Sequence, residues 1–520
     1  MSSVPSNVKV LVIGGGPAGS YAASVLARED IDVLVIEADK FPRYHIGESQ
    51  LASLRHFLRF IDLEKEFEAF GFQKKAGAGF KLNKHKREGF TDFITPDPNN
   101  YSWNVIRSIS DELMLRHAER VGAKVVEETK ITELEWTGEG DTARPVAASW
   151  KNKAGETGKV SFDFVIDASG RAGIISTKYL KNRDFNSYLK NVAIWGYWKG
   201  AGKYLPGTPR ENSPLFEALA DETGWNWFIP LHDGTVSVGV VGNQEVTNTK
   251  KAKLRENGGD SSLLAHYKNE LKQTPNLLRL LEGAEMIKKP DALLVNSASD
   301  YSYQANQYAG PGFRIVGDAG AFIDPYFSSG VHLALAGSLN AAASICAEIR
   351  GEVSAEDAAK WHTSRTDSSY QRFLLVVLSA YQQIRHQAVD HLSGQNEDNF
   401  DRAFDFFRPI IQGHSDTGKR LAGDDLQKTV EFLGKHAFEP AQPEEPGRLV
   451  AKYGDPTKSL PVAKAGDTEE EIRQKNILKG VAIRKLIGTQ DVYHLDNFVA
   501  DTVQGYRLRL ERGSLGLAKA

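Results

Sequence analysis

Residues 8–23 read VKVLVIGGGPAGSYAA, and the order of residue types in this stretch decides the fold. Val8, Val10 and Val12 lie in an apolar run that predicts a buried strand. Gly14-Gly15-Gly16-Pro17-Ala18-Gly19 follows, and helical periodicity runs through residues 18–28. Val33-Leu34-Val35-Ile36 is a second buried strand, ending at Glu37. A strand, a glycine turn, a helix and a strand make a βαβ unit, which implies a parallel sheet with helices on its faces. Gly14 permits the tight turn, Gly16 lets the backbone approach a pyrophosphate, and Gly19 lets helix and sheet pack closely. Gly15 and Ala18 complete the loop. The helix N-terminus offers free N–H groups to phosphate. Glu37 lies about 20 residues on, where a ribose-binding acid is expected. Together these residues predict a dinucleotide cradle.

Outward from this unit, the nucleotide theme returns at residues 313–318, FRIVGD, another apolar strand running into a Gly-Asp pair. The cofactor-binding unit is therefore expected to be discontinuous over residues 1–355. A β-rich substrate region is inserted in it, at about 72–105 and 190–300. Residues 146–150 and 160–164 read as a hairpin. Residues 192–198 and 235–241 alternate as strands of an antiparallel sheet with one face on a pocket. From Ser354 the composition turns helical, opened by the Ser354-Ala355-Glu356-Asp357 capping pattern. Residues 356–520 are expected to be mainly helical and to cover the substrate pocket. Pro440, Pro443 and Pro446 predict an exposed loop, and residues 467–475 a solvated helix face.

The chain has 520 residues, 41% hydrophobic and 25% charged, as soluble globular proteins have, and a net charge of -3. That charge gives no reason to expect nucleic acid or an anionic membrane as partner. The single cysteine, Cys346, lies in the small, apolar run AAASICAEI and reads as a packing group. The first residues, MSSVPSNVKVLV, lack a secretory pattern, and no run of about 18 uninterrupted apolar residues occurs. A cytoplasmic enzyme with no membrane span is the expectation. No metal is implied.

Further segments narrow the dinucleotide. Asp167-Ala168-Ser169-Gly170-Arg171 resembles the DG segment of the p-hydroxybenzoate hydroxylase-type flavoproteins, and Gly317-Asp318 resembles their GD segment. Arg107, in SWNVIRSISDELML, matches an arginine those enzymes place near the flavin. The resemblance implies FAD in a p-hydroxybenzoate hydroxylase-like α/β fold, with Asp318 holding the ribityl chain. Residues 42–49, PRYHIGES, resemble the PRxxxGES segment of the halogenase branch, which implies Arg43 and Glu48 near the FAD.

Trp225-Asn226-Trp227-Phe228-Ile229-Pro230 is a WxWxIP hexapeptide and resembles the signature of the flavin-dependent halogenases. On a strand the two indoles face the same side. The resemblance places them beside the flavin, where they keep the organic substrate away from it. Phe72-Gln73-Lys74-Lys75-Ala76-Gly77 resembles the family's FxxKxG segment and implies Lys75 as the catalytic lysine. Lys74 would face the opposite way along a strand. Residues 324–332, DPYFSSGVH, resemble the DPxxSSG stretch. That implies a halide site at Ser329 and Gly330, with the Val331 backbone touching the flavin ring. Ser329 also reads as the N-cap of the apolar helix that follows. The glutamate partner of the lysine in tryptophan-specific halogenases has no counterpart that can be placed. GFQKKAGAGFKLNKHKREGFTDF and YLKNRDFNSYLKNVAIWGYW instead resemble the fungal phenolic halogenases of polyketide pathways.

The resemblance implies FADH2 delivered by a separate flavin reductase, O2, and chloride or bromide oxidised to hypohalous acid. Lys75 would take up the oxidant as a haloamine or by hydrogen bonding. It would pass halogen to a small aromatic phenol, ortho or para to a hydroxyl, the substrate being free or carrier-tethered. Two other readings remain: a single-component FAD-dependent aromatic hydroxylase, and a non-catalytic flavin-binding scaffold.

Overall fold

The computed structural model of the chain describes residues 4–520 except 96, 291, 389–391, 393–397, 413–444, 455, 457–463, 465 and 488–501. The chain starts with β1 (Asn7–Ile13), α1 (Pro17–Ala27) and β2 (Val33–Ile36). It continues through α2 (Leu54–Phe60), α3 (Glu64–Phe70), β3 (Gln73–Lys75), β4 (Gly77–Lys81), β5 (Gly89–Asp92), β6 (Ser102–Asn104), α4 (Arg107–Arg120), β7 (Lys124–Val126), β8 (Thr129–Thr137), β9 (Arg144–Asn152) and β10 (Thr157–Asp167). Next come β11 (Arg183–Lys199), β12 (Leu215–Ala218), β13 (Gly224–Pro230), β14 (Thr235–Asn243), α5 (Gln244–Glu256), α6 (Leu263–Leu271), α7 (Pro275–Leu280), β15 (Glu285–Ile287) and β16 (Asn296–Ala305). Then follow β17 (Ala309–Gly310), β18 (Phe313–Ile315), β19 (Ala321–Phe322), α8 (Gly330–Ile349), α9 (Ala355–Arg385) and α10 (Asp401–Ile411).

The first sheet has the order β17-β18-β10-β1-β2-β7, with β9 pairing β10 and β8 pairing β9. Its centre is parallel: Val10 lies opposite Val33, and Ile13 opposite both Ile36 and Asp167. The apolar run of β1 is buried on both faces, as a strand covered by helices must be. β18 joins β10 in parallel, which brings residues 313–318 back beside the first βαβ unit. α1 and α8 pack together, and the Ser338 hydroxyl donates to the Ala18 carbonyl at 2.8 Å. By length and composition α8 could cross a bilayer, but 83% of its apolar window is buried inside the fold.

The second sheet has the order β19-β16-β11-β14-β13-β12-β4-β5, with β15 on β11. Alternation along its strands gives two different faces. Phe228, Val238, Val240 and Ile194 pack in one core with α6 and α7 residues such as Tyr267 and Leu277. Trp195, Tyr197, Phe80, Trp225 and Trp227 belong to another, closed by Tyr370, Phe373 and Tyr381 of α9 and Phe404 and Phe407 of α10. β3 and β6 form a separate two-stranded ribbon.

The Ser354 hydroxyl caps α9 by accepting from the Asp357 N–H at 3.0 Å. Residues 467–475 fall at and inside a helix, Glu469–Ile487, whose first turn is exposed. The C-terminal part is not helical throughout: Tyr506–Arg509 and Gly516–Lys519 pair as an antiparallel hairpin. Glu29 fixes that hairpin by accepting from the N–H groups of Gly513 at 2.8 Å and Leu515 at 3.0 Å. Pro440 and Pro443 lie outside the described residues. Pro446 is not in a loop but at the second position of the helix Glu445–Tyr453, where a missing N–H costs no intrahelical bond.

Candidate functional site

The glycine turn falls between β1 and α1. Gly14 has φ +102°, and a Cβ there would lie 2.4 Å from the Ala168 carbonyl oxygen. A Cβ on Gly19 would lie 1.8 Å from the Gly14 oxygen. Both glycines are therefore required by the protein's own packing. Gly16 differs, because a Cβ there would meet only Arg43 Nη2, at 3.4 Å. Its side faces open space, which fits a pyrophosphate drawn close to the backbone. Glu37 ends β2, and its carboxylate accepts from the N–H groups of Gly15 at 2.5 Å and Asp39 at 2.8 Å.

Around this turn the other expected cofactor residues gather. Arg107 opens α4 and is buried; it donates to Asp111 at 2.8 and 2.9 Å and to the Ile46 carbonyl at 2.8 Å. Arg43 joins the same carboxylate at 3.1 Å. Burial acts to raise the Asp111 carboxyl, but Arg107 and Arg43 outweigh it and hold it below the usual range. Asp318 follows β18. Desolvation pushes its pKa up to about 6, against the pull of Arg171, Arg107 and Arg183. Its carboxylate makes no hydrogen bond to any described residue, so it is ready to accept one from a polyol chain. Glu48 is buried and accepts from the Tyr197 hydroxyl at 2.8 Å; burial raises its pKa. Pro17, Gln50, Arg107, Asp111 and Val331 line one cavity at this place. A glycine turn open at Gly16 and an unengaged carboxylate at Asp318 fit FAD.

Lys74 and Lys75 separate as residues on a strand must. Lys74 is exposed and pairs with Glu68 at 3.2 Å. Lys75 is 1% exposed, and its ammonium donates to the Gln50 carbonyl at 2.8 Å and lies 5.2 Å from the Phe93 ring centroid. Burial alone lowers its pKa from 10.5 to about 7. Gln50 also lines the cavity that Val331 and Arg107 share, so it stands between the lysine and that crevice.

Trp225 and Trp227 share one face of β13, with ring centroids 6.0 Å apart. Asn226 points the other way and donates to the Thr274 hydroxyl at 2.7 Å. Trp195 extends the aromatic row, 6.5 Å from Trp227. Trp227 lies opposite Gly239 of β14, where a Cβ would come within 2.2 Å of the indole ring.

The turn before α8 runs from Asp324 through Ser329. Ser328 has φ +58°, and Ser329 occupies the N-cap position, but its side chain makes no cap hydrogen bond. Its hydroxyl is buried without a partner among the described residues. An unengaged hydroxyl beside the first N–H groups of a 20-residue helix is an anion-receptive arrangement. Gly330 is exposed and Val331 half-buried. No group of three or more His, Cys, Asp or Glu residues suited to a metal occurs among the described residues.

Some residues at this site carry no motif. Gln50, just past GES, acts through a backbone carbonyl, which sequence does not flag. Asp111 was detectable, since it stands four residues after Arg107 on one helix face. Gly239 would read as a weak point of a strand until its place opposite an indole is known.

A tryptophan halogenase family model matches residues 9–96 and 95–388. A flavin-dependent halogenase of Acremonium egyptiacum is 50% identical over 100% of this chain and 94% of its own length. The sulochrin halogenase of Aspergillus terreus is 48% identical over 100% of this chain and 94% of its own. Among solved structures, the flavin-dependent halogenase CmlS is 25% identical with a TM-score of 0.68, covering 99% of this chain and 84% of that one. The myxobacterial chondrochloren halogenase is 26% identical with a TM-score of 0.65, covering 92% and 98%.

Proposed function

The chain belongs to the tryptophan halogenase family of flavin-dependent halogenases, and on that premise we propose that it uses FADH2, O2 and chloride or bromide to halogenate a phenolic, polyketide-derived aromatic. Family membership decides against a hydroxylase or an inert scaffold. The phenolic substrate is supported by the resemblance to the fungal phenolic halogenases and by the relative named for sulochrin. We place the reaction in the cytoplasm and assign the supply of FADH2 to a separate flavin reductase.

FAD would be held by Gly14, Gly15, Gly16, Ala18 and Gly19 at the pyrophosphate, by Asp318 at the ribityl chain, and by Arg43, Glu48, Arg107 and the Val331 backbone around the ring. Glu37 accepts one backbone N–H at each carboxylate oxygen, and the remaining lone pairs would take the ribose hydroxyls. Reduced FAD bound there, with O2, supplies the two-electron oxidant that converts halide to hypohalous acid.

Ser329 and Gly330 hold the halide at the α8 N-terminus. Trp225 and Trp227 keep the aromatic substrate away from the flavin, so that only the small oxidant passes. Lys75, desolvated, is half neutral near pH 7. Its nitrogen lone pair forms the N–halogen bond as the oxygen–halogen bond breaks, and the departing hydroxide takes the amine proton as water. The ring carbon then takes the halogen, the bonding pair returns to nitrogen, which takes up a proton to become the amine again, and the ring proton leaves to solvent. Lys75 supplies both nucleophile and position. The C-terminal helices α9 and α10 would cover the phenol.

The observation that carries this reading is the buried Lys75 ammonium, held at 2.8 Å by the carbonyl of Gln50, a residue that also lines the cavity shared by Arg107 and Val331. The test is mass spectrometry of candidate phenols incubated with the enzyme, a flavin reductase, FAD, NADH and chloride or bromide. A halide-dependent, reductase-dependent halogenated product is expected. Oxygen insertion with NADH alone, without halide, would overturn the proposal.

A further inference from the structure

Four elements meet at one hydroxyl. Tyr381, near the end of α9, accepts from the Trp225 indole N–H at 2.8 Å and from the Asn191 amide at 2.8 Å. It donates to Asp324 Oδ2 at 2.7 Å. Asn191, on β11, donates to the same carboxylate oxygen at 3.0 Å. The other oxygen of Asp324 accepts from the Tyr326 N–H at 3.1 Å, which shapes the turn leading to Ser329. Tyr381, Asp324, Asn191 and Trp225 are all buried. A tyrosine hydroxyl has one proton to give and two lone pairs, and here all three are used.

These bonds join two parts that the proposed function keeps distinct. Trp225 is the first indole of the partition, and Asp324 begins the turn that ends at the halide residues. The Tyr326 ring stands edge-on to Trp225, with centroids 4.9 Å apart and an angle of 81°. Ring contact is adaptable, whereas the shared hydroxyl sets a direction and a distance. Packing needs a ring at position 381, but it does not need the oxygen.

We propose that Tyr381 is a positioning residue that holds the Trp225 wall and the Asp324–Ser329 turn in one register. It thereby directs hypohalous acid to Lys75 rather than to solvent. This inference rests on the halide and partition roles proposed above. The partners of the Tyr381 hydroxyl are Trp225, Asn191 and Asp324, and not Ser329 or Lys75, so its loss acts through Trp225 and Asp324. Removing the oxygen leaves an indole N–H unmet and takes one donor from a buried carboxylate. The turn and the wall are then free to shift separately.

The test is Tyr381→Phe in the FAD-loaded full chain, assayed with a flavin reductase, bromide or chloride, and orcinol as phenol. Monochlorodimedone is added in parallel to trap oxidant that escapes. The expected result is at least a fivefold rise in halide KM and a fivefold fall in halogenated orcinol per FADH2 oxidised. Trapped product should rise correspondingly, with the dissociation constant for FAD changed by less than twofold. Asn191→Ala should show the same signature in weaker form, and it carries the test if Tyr381→Phe does not fold. A variant that loses rate while halide KM and the trapped fraction stay within twofold of wild type would overturn the inference, because the hydroxyl would then be merely structural. So would a variant indistinguishable from wild type. A wild-type protein that halogenates neither orcinol nor the trap would instead bring down the functional proposal, and this inference with it.

Discussion

Lys74 and Lys75 are consecutive on β3, yet the Lys75 ammonium is buried against the Gln50 carbonyl at 2.8 Å while that of Lys74 stays in solvent beside Glu68. Of the two, Lys75 has the desolvated amine that the proposed halogen capture requires. Lys75→Ala and Lys75→Met should bind FAD with unchanged affinity and lose phenol halogenation by roughly 100-fold or more. Lys74→Ala should stay within a few-fold of wild type. Product per FADH2 oxidised, measured by mass spectrometry, checks both. An inactive Lys74→Ala beside an active Lys75→Ala would move the assignment by one residue.

The same burial sets a pH dependence. With a folded pKa of about 7, Lys75 gains a neutral fraction as pH rises through that value, so halogenation per FADH2 oxidised should fall below it. Stability moves in the same direction. The unfolded chain keeps this proton up to its ordinary value of 10.5, so between about 7 and 10.5 the unfolded state binds more protons and stability rises with pH. Below about 7 the cost of the buried cation is present in full, of the order of 5 kcal/mol. Lys75→Met should therefore raise the thermal midpoint at pH 6, less whatever the unmet Gln50 carbonyl costs. The gain should disappear near pH 10. Calorimetry at the two pH values reads this directly, and no gain at pH 6 would count against the desolvated amine.

Gly239 gives access to the partition from behind. It faces Trp227 across the β13–β14 pair, and an added methyl would press on the indole. Gly239→Ala alters neither Lys75 nor any residue proposed to hold FAD. It should displace Trp227 and lower the halogenated product per FADH2 oxidised several-fold, while FAD affinity stays within twofold. Unchanged coupling in a folded Gly239→Ala protein would mean that the exact seat of Trp227 does not matter.

How much of this was legible before the structure follows from what kind of signal each residue carries. Gly14 and Gly19 are bound to the fold by steric contacts of the backbone itself, so their spacing alone reveals them. The two indoles and Lys75 stand at fixed positions in motifs, and the two-residue period of a strand correctly separates Lys75 from Lys74. Gln50, Asn191 and Tyr381 were not legible. They act through a carbonyl, an amide and a hydroxyl brought together from residues far apart in the chain, and no local periodicity encodes such a meeting. The C-terminal hairpin was missed for a related reason. Tyr506–Arg509 and Gly516–Lys519 are four residues each, and Glu29, near the other end of the chain, fixes the turn between them.

Three of the four glycines of the turn should respond differently to the same substitution. Gly14→Ala places a methyl 2.4 Å from the Ala168 oxygen in a backbone conformation with φ +102°, and Gly19→Ala places one 1.8 Å from the Gly14 oxygen. Neither contact can be relieved by a side-chain rotation, because the atoms met are backbone. Both variants should be destabilised whether or not FAD is present, and the apoprotein's thermal midpoint should show it. Gly16→Ala meets only the end of the flexible Arg43 side chain, at 3.4 Å. The apoprotein should therefore fold with a midpoint close to that of wild type. Its methyl would occupy the space assigned to the pyrophosphate, so FAD affinity should fall about tenfold or more, a loss of roughly 1.4 kcal/mol or greater. Titration of each apoprotein with FAD, followed by flavin fluorescence, separates the two effects. A Gly16→Ala protein that binds FAD as tightly as wild type would show that the pyrophosphate does not approach the backbone at this residue.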